Sequence, residues 1–315
     1  VPVPGAYHER MRSGRYNVLV VLGPTASGKT RLGVELARAF NGEIVSADSR
    51  QAYRGLDLGS GKDLAEYTAG GAPVPYHLID IVELDVEFSV FDFQHRCFDA
   101  IEAIAARNRL PVLVGGTGLY LEAVLSRYRM VEAPPNAALR AELAGASHAA
   151  LIARLLHVKP DQHNTTDLVE RHRILRAIEI AEYARDHEPE PAPDLRPLIL
   201  GTRWPREELR QRIYRRLVER LDQGMIDEVA ALHASGVPWP RLKLLGLEYR
   251  HIARFLEGEI ADKGALVDGL AIAIGQFAKK QETWFRRMER RGTTIHWIDR
   301  ADVDAARRIV AAEGS

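Results

Sequence analysis

The 315-residue chain carries 43 Lys plus Arg against 43 Asp plus Glu, a balance that excludes an overall basic field for holding nucleic acid indiscriminately. Its length allows one large domain with an insertion, or two modest domains. A single cysteine, Cys97, excludes an internal disulfide and fits a reducing, cytoplasmic setting; its own reading is a small buried hydrophobe beside Phe98.

Residues 1–15 carry charges and prolines but no apolar core, so they read as a disordered leader rather than a signal peptide or membrane span, with Met11 a candidate natural start. Val18 to Leu22 is a continuous apolar run. Gly23-Pro-Thr-Ala-Ser-Gly-Lys-Thr30 follows, and then Leu32, Val34, Leu36, Ala37 and Phe40 recur at helical spacing. Strand, glycine loop and helix in that order make a P-loop, whose backbone N–H groups, helix N-terminus and Lys29 together hold a polyphosphate. The candidate anion-binding residues are therefore Gly23, Pro24, Thr25, Ala26, Ser27, Gly28, Lys29 and Thr30.

Glu43 to Ser46 is a second short strand that runs into Asp48-Ser-Arg-Gln51. The carboxyl ends of parallel strands converge on one crevice, so Asp48 faces the space the P-loop faces. Two readings of Asp48 stand, a reacting carboxylate and a helix N-cap. Tyr53 to Asp63, with Gly55, Gly59 and Gly61, is a loop over the site; Tyr76 to Val82 reads as a strand or extended segment and Phe91 to Arg107 as a helix. His77 has no second ligand at metal spacing, so no structural metal is assigned. Pro111 to Val114 is a buried strand that ends in Gly115-Gly-Thr-Gly-Leu-Tyr120. P-loop hydrolases commonly place a magnesium-holding Asp there. Glycines and Thr117 in its place point to holding a phosphate rather than hydrolysing a nucleotide, with the Thr117 hydroxyl available to a ligand.

Pro134-Pro135 marks a boundary, and Ala137 to Leu143, Ala149 to Leu156 and Leu168 to Tyr183 are helical patterns closed off by the Pro-rich stretch 188–193. Arg171, His172, Arg173 and Arg176 crowd one stretch of this insertion, either a binding patch or a solvated helix face. Leu198 to Leu200 returns to strand. Arg206 to Leu221 is a helix opened by Pro205, on which Arg212 and Arg216 share one face, either closing over a diphosphate or paired with Glu208 and Glu219 at the surface. Gln276 to Arg287 interleaves basic and aromatic residues, a pattern that binds nucleic-acid backbones, and Ile295 to Asp299 is a closing strand. The fold expected is α/β: a P-loop NTPase-like parallel sheet with helices on both faces, over 16–133 and 196–315, and an all-helical inserted domain over 134–195.

Six ordered segments carry a resemblance: the P-loop, Ser46 to Gln51, His77-Leu-Ile-Asp80, Gly115 to Tyr120, Arg176-Ala-Ile-Glu179, and Phe277 to Arg286. Together, from about Val18 to Asp299, they resemble the tRNA dimethylallyltransferase (tRNA isopentenyltransferase) family in its short bacterial form, without a zinc-finger extension. That resemblance implies transfer of a dimethylallyl group from its diphosphate to N6 of the adenosine 3′ of the anticodon, with Mg2+. It implies that Asp48 accepts the N6 proton, with Thr117 beside it in the catalytic site. Ser27 to Thr30 with Arg212 and Arg216 match the diphosphate site, Thr30 meeting magnesium through the diphosphate. Asp48, Ser49, Arg50, Gln51, Thr117, Arg140, His172, Arg173 and Arg176 match positions that touch the tRNA anticodon stem-loop. The chain is expected to act as a monomer, with no membrane partner.

The chemistry agrees with these residues: an exocyclic adenine amine needs a positioned base, and diphosphate leaves well only when its charge is met. The motif commonly Gly-Thr-Ala-Lys-Pro is here Gly59-Ser-Gly-Lys-Asp63, and an expected Asn-Asp pair is spread out as Asn164-Thr-Thr-Asp167. Three alternatives remain at this point: an ATP-dependent nucleotide kinase, an AMP/ADP isopentenyltransferase on the same core, and a tRNA-binding protein with an inactive P-loop.

Overall fold

The structure, a computed structural model, describes residues 15–160, 168 and 170–314. The expected leader, apart from Arg15, and the Asn164–Asp167 departure lie outside them. In chain order the elements are β1 (Val18–Leu22), α1 (Lys29–Ala39), β2 (Gly42–Ala47), a 3-10 turn (Leu64–Tyr67), β3 (Tyr76–His77), α2 (Val90–Ala106), β4 (Leu110–Gly115), α3 (Gly118–Leu125), α4 (Ala137–Glu142), α5 (His148–Val158) and α6 (Arg171–Tyr183). There follow β5 (Pro197–Arg203), α7 (Arg206–Asp222), α8 (Met225–Ala234), α9 (Trp239–Leu242), α10 (Leu247–Leu256), α11 (Lys263–Arg290), β6 (His296–Asp299) and α12 (Val303–Glu313).

Every residue of β1 is apolar and buried, the pattern of a strand covered on both faces. It lies near the centre of a sheet of order β3-β2-β4-β1-β5-β6, in which every pairing is parallel. The strand's period of two sorts its side chains. Leu19 and Val21 pack with Leu32 and Leu36 of α1 and Ala306 and Val310 of α12. Val18, Val20 and Leu22 pack with Phe93, Cys97 and Ile101 of α2, Leu121 of α3 and Phe285 of α11. The long α11 serves two cores, because its first half (Leu266, Leu270, Ile274) joins α7, α8 and α10 around Leu217, Val229 and Tyr249.

Local chemistry sets the helix starts. Ser89 and Asp92 form a reciprocal capping box on α2, and Asp262 and Asp302 cap α11 and α12. One expectation changes: β3 ends at His77, because Leu78 (φ 62°) and Asp80 (φ 55°) turn the backbone left-handed. The segment folds back instead, with the Asp80 carbonyl accepting from Arg54 Nε and the Asp80 carboxylate meeting Lys62.

The described residues up to Ser126 and from Pro193 onward form one compact unit, and Arg127–Ala192 forms a second. Its edges fall outside the expected 134 and inside the expected 195 for a packing reason. Ala133 is buried and its carbonyl accepts from Arg176, whereas Leu195 belongs to the core beneath the sheet. The second unit is built from α4, α5 and α6 around Leu139, Leu151, Leu155, Ile174 and Ile178. Asn136 and Ser147 cap α4 and α5. Among the described residues no helix is long and apolar enough to cross a membrane.

Candidate active site

Because β4 lies between β1 and β2, the loops leaving the carboxyl ends of these three strands are neighbours. They carry the P-loop, Thr117 and Asp48. The P-loop needs left-handed backbone at Ala26 (φ 60°) and Gly28 (φ 84°). It is held from several sides. Thr202 Oγ1 donates to Ser27 Oγ at 2.6 Å, Trp204 Nε1 donates to the Ser27 carbonyl at 2.8 Å, and a Cβ at Gly23 would overlap Thr202. Buried Gln281 of α11 accepts from the Thr25 N–H at 2.8 Å and donates to the Gly116 carbonyl at 2.9 Å, tying two site loops to one helix. Gly23 and Pro24 thus shape the turn, while Thr25 to Thr30 line a cavity of about 1090 Å³.

Asp48 lines the same cavity. It caps no helix: its Oδ1 accepts from the Arg50 N–H at 3.0 Å in a turn. Thr117 is set by its N–H to the Ala47 carbonyl and by its Oγ1, which accepts from the Ser49 N–H at 3.2 Å. The hydroxyl proton of Thr117 remains for another acceptor. Ser49 and Arg50 line the cavity as well. Gln51 is buried, and its amide is committed to the protein, accepting from Ser46 Oγ and donating to the Gly61 carbonyl.

The cationic side of the cleft is strong. The surrounding protein, by desolvation, pushes the Lys29 ammonium down to about 8; Asp48 opposes that shift, Arg216 adds to it, Asp63 opposes it and Arg220 adds to it. Arg212 donates its Nε to the Ala26 carbonyl at 2.9 Å and stacks on Trp204 at 4.1 Å. Arg216 and Arg220 both reach Asp63, at 3.2 and 2.9 Å. The surface pairing weighed for Arg212 and Arg216 is not what forms: Glu208 bonds Arg300 and Glu219 lies near Arg215.

The sequence reading missed four contributors: Asp63, Glu66, Arg220 and Glu248. Burial raises the Glu66 carboxyl, helped by Asp63, and its Oε2 has no partner among the described residues. Glu248 is also raised by burial, against the pull of Arg220 and Arg216. For the three acids the signal was a place close to a motif already in view, since Asp63 ends the glycine loop and Glu248 follows Gly246; for Arg220 it was a place four residues after Arg216 on α7.

Opposite the P-loop, α11 lends Phe277, Lys279, Lys280 and Trp284 to the cavity wall. Gly118 is required there, since a Cβ would overlap the Trp284 ring. Arg287, at the end of the basic and aromatic stretch, stacks on Trp284 and bonds buried Glu122 at 2.7 Å.

The remaining candidates belong to the second unit. Arg140 and Arg176 both bond Glu179, whose side chain is only 1% exposed. Burial alone would raise that carboxyl, but Arg140, the Asn136 N–H and Arg176 hold it below its ordinary value. Arg171 donates to the carbonyls of Leu143, Ala144 and Ala146. His172 and Arg173 are exposed, near Glu170 at 3.4 and 4.0 Å. The crowded basic stretch therefore divides into residues that build the unit and residues that face outward.

A family model described as IPP transferase matches residues 51–288, and one described as isopentenyl transferase matches 16–72. The tRNA dimethylallyltransferase 1 of Geotalea uraniireducens is 60% identical over 90% of this chain and 92% of its own length. The tRNA dimethylallyltransferase 2 of Trichlorobacter lovleyi is 56% identical over 95% and 98%. Among solved structures, the tRNA isopentenylpyrophosphate transferase of Bacillus halodurans aligns over 95% of this chain and 97% of that one, with 31% identity and a TM-score of 0.69.

Proposed function

The chain belongs to the tRNA isopentenyltransferase family, and from that premise we propose how its cleft transfers a dimethylallyl group from dimethylallyl diphosphate to tRNA, at N6 of the adenosine 3′ of the anticodon. The P-loop N–H groups, Lys29, Arg212 and Arg216 receive the diphosphate. N6 attacks C1 of the dimethylallyl group, the C1–O bond breaks with its electron pair going to the diphosphate, and the N6 proton passes to Asp48. Thr117, fixed through Ser49, donates its hydroxyl proton toward the adenine and orients it. Arg50 and Ser49 border the same acceptor side.

Among the described residues no three His, Cys, Asp or Glu side chains cluster to hold a metal. Mg2+ keeps several waters and binds chiefly through substrate phosphates, so the Thr30 hydroxyl on the cavity wall would help hold it without a carboxylate cluster. Bound there, it neutralises charge on the departing diphosphate. We assign the anticodon stem-loop to outward-facing His172 and Arg173 of the second unit, with Arg140 and Arg176 held in place by Glu179. The reading takes the chain as a monomer, and a cytoplasmic setting fits a tRNA substrate.

One observation carries this reading: Asp48 and Lys29 line a single cavity, in which the Asp48 carboxylate opposes the downward shift of the Lys29 ammonium. The test is purified protein with labelled dimethylallyl diphosphate and, in parallel, an anticodon stem-loop, AMP and ATP plus a nucleoside. Label in the stem-loop alone is expected. Label in AMP, or phosphate transfer from ATP, would replace the reading with the prenyl-nucleotide or kinase alternative.

A further inference from the structure

The glycine loop that departs from the common family motif brings a carboxylate into the anion site. Lys62 is buried and bonds Asp57 at 2.7 Å as well as Asp80, which fixes the loop. Gly61 (φ 71°) sits where a Cβ would overlap the guanidiniums of both Arg216 and Arg220, so its missing side chain admits them. Asp63 follows at φ 46°. Its Oδ2 stands 3.2 Å from Arg216 Nη2, and Arg220 Nη2 lies 2.9 and 3.1 Å from its two oxygens. Gly61 and Asp63 therefore make one arrangement with the two arginines.

Asp63, Arg216, Arg220, Lys29 and Thr30 line the same cavity. The Arg216 Nε is buried without a partner among the described residues, so Asp63 satisfies this guanidinium only in part. We propose, resting on the diphosphate reading above, that Asp63 is the resident counter-ion of the donor site. It keeps Arg216 and Arg220 ordered when no donor is bound, and it competes with the diphosphate for Arg216, thereby setting the affinity for donor and released diphosphate. A residue that merely supported the loop would weaken binding when changed. A competing anion does the reverse.

The probe is inorganic diphosphate, titrated calorimetrically into the full chain with magnesium present. Asp63→Asn and Asp63→Gly both tolerate left-handed backbone and remove the charge, while Asp63→Glu retains it. Whichever of the first two gives a normal melting transition should bind diphosphate about tenfold more tightly, a change of about 1.4 kcal/mol. Asp63→Glu should stay closer to the unaltered protein. Product inhibition by diphosphate should strengthen by the same factor. Equal or weaker binding by the charge-removing variants would overturn the proposal. Lys29→Ala is the control: if the unaltered protein binds no diphosphate, or Lys29→Ala binds it equally well, the donor-site reading falls and this inference with it. A normal control with untightened Asp63 variants overturns this inference alone.

Discussion

Two sets of arginines, Arg212 in the sheet-bearing unit and Arg140 with Arg176 in the helical unit, are held in opposite ways. In the first, Arg212 is held by a backbone carbonyl and an aromatic ring, and among the described residues no carboxylate pairs with it. In the second, Arg140 and Arg176 converge on a buried glutamate. A cation fixed by neutral partners keeps its field for a ligand, whereas one fixed by a buried carboxylate spends it on structure. Counting basic residues does not separate the two cases. Asp63 stands between them, a carboxylate placed inside a ligand site.

The sharpest break in this contrast comes from Asp48→Ala. It removes the proton acceptor and leaves the cationic wall intact, so single-turnover transfer should fall by about 10² to 10⁴ while the donor dissociation constant changes little. Lys29→Ala follows, with kcat/KM for donor expected to fall by about 10² to 10³. Lys29 also gives a pH signature. Its folded-state value of about 8 lies below the ordinary 10.5, and the diphosphate prefers the protonated form. Donor affinity should therefore weaken as pH rises through 8, a leg absent from Lys29→Ala. On folding the sign is opposite: the unfolded chain holds this proton up to 10.5, so the cost of burying the charge is relieved as pH climbs from about 8 toward 10.5.

Gln281→Ala should lower stability by about 1–3 kcal/mol, measured by denaturant unfolding, because it strands the Thr25 N–H and the Gly116 carbonyl. The smallest effects belong to the second unit. Arg173→Ala should weaken stem-loop binding only a few-fold and flatten its log-log salt slope by roughly 0.7 to 0.9, one phosphate contact. Arg176→Ala should instead lower the unit's melting temperature, since it removes a partner of buried Glu179.

Legibility in the sequence followed separation along the chain. The β1 strand and P-loop were plain because an apolar run, a glycine spacing and a helical period stand side by side. Asp48 was reachable through the rule that parallel strands deliver their carboxyl ends to one crevice. The Asp63–Arg220 pair spans 157 positions and the Gln281–Thr25 bond 256, and no local pattern announces either. The strand or extended segment expected over Tyr76 to Val82 is a strand only at Tyr76–His77, beyond which the Asp80 carboxylate is drawn to Lys62 and the Asp80 carbonyl to Arg54. The basic stretch around Arg173 was visible as charge. Its division into structural and outward residues depended on the burial of Glu179, which spacing alone does not give.

The most direct measurement titrates two ligands, dimethylallyl diphosphate and an anticodon stem-loop, against the same two variants, Lys29→Ala and Arg173→Ala. The expected result is a crossed pattern: Lys29→Ala loses donor affinity and keeps the stem-loop, and Arg173→Ala loses stem-loop affinity and keeps the donor. Loss of both ligands in either variant, or of neither in both, would contradict the division of duties between the two units.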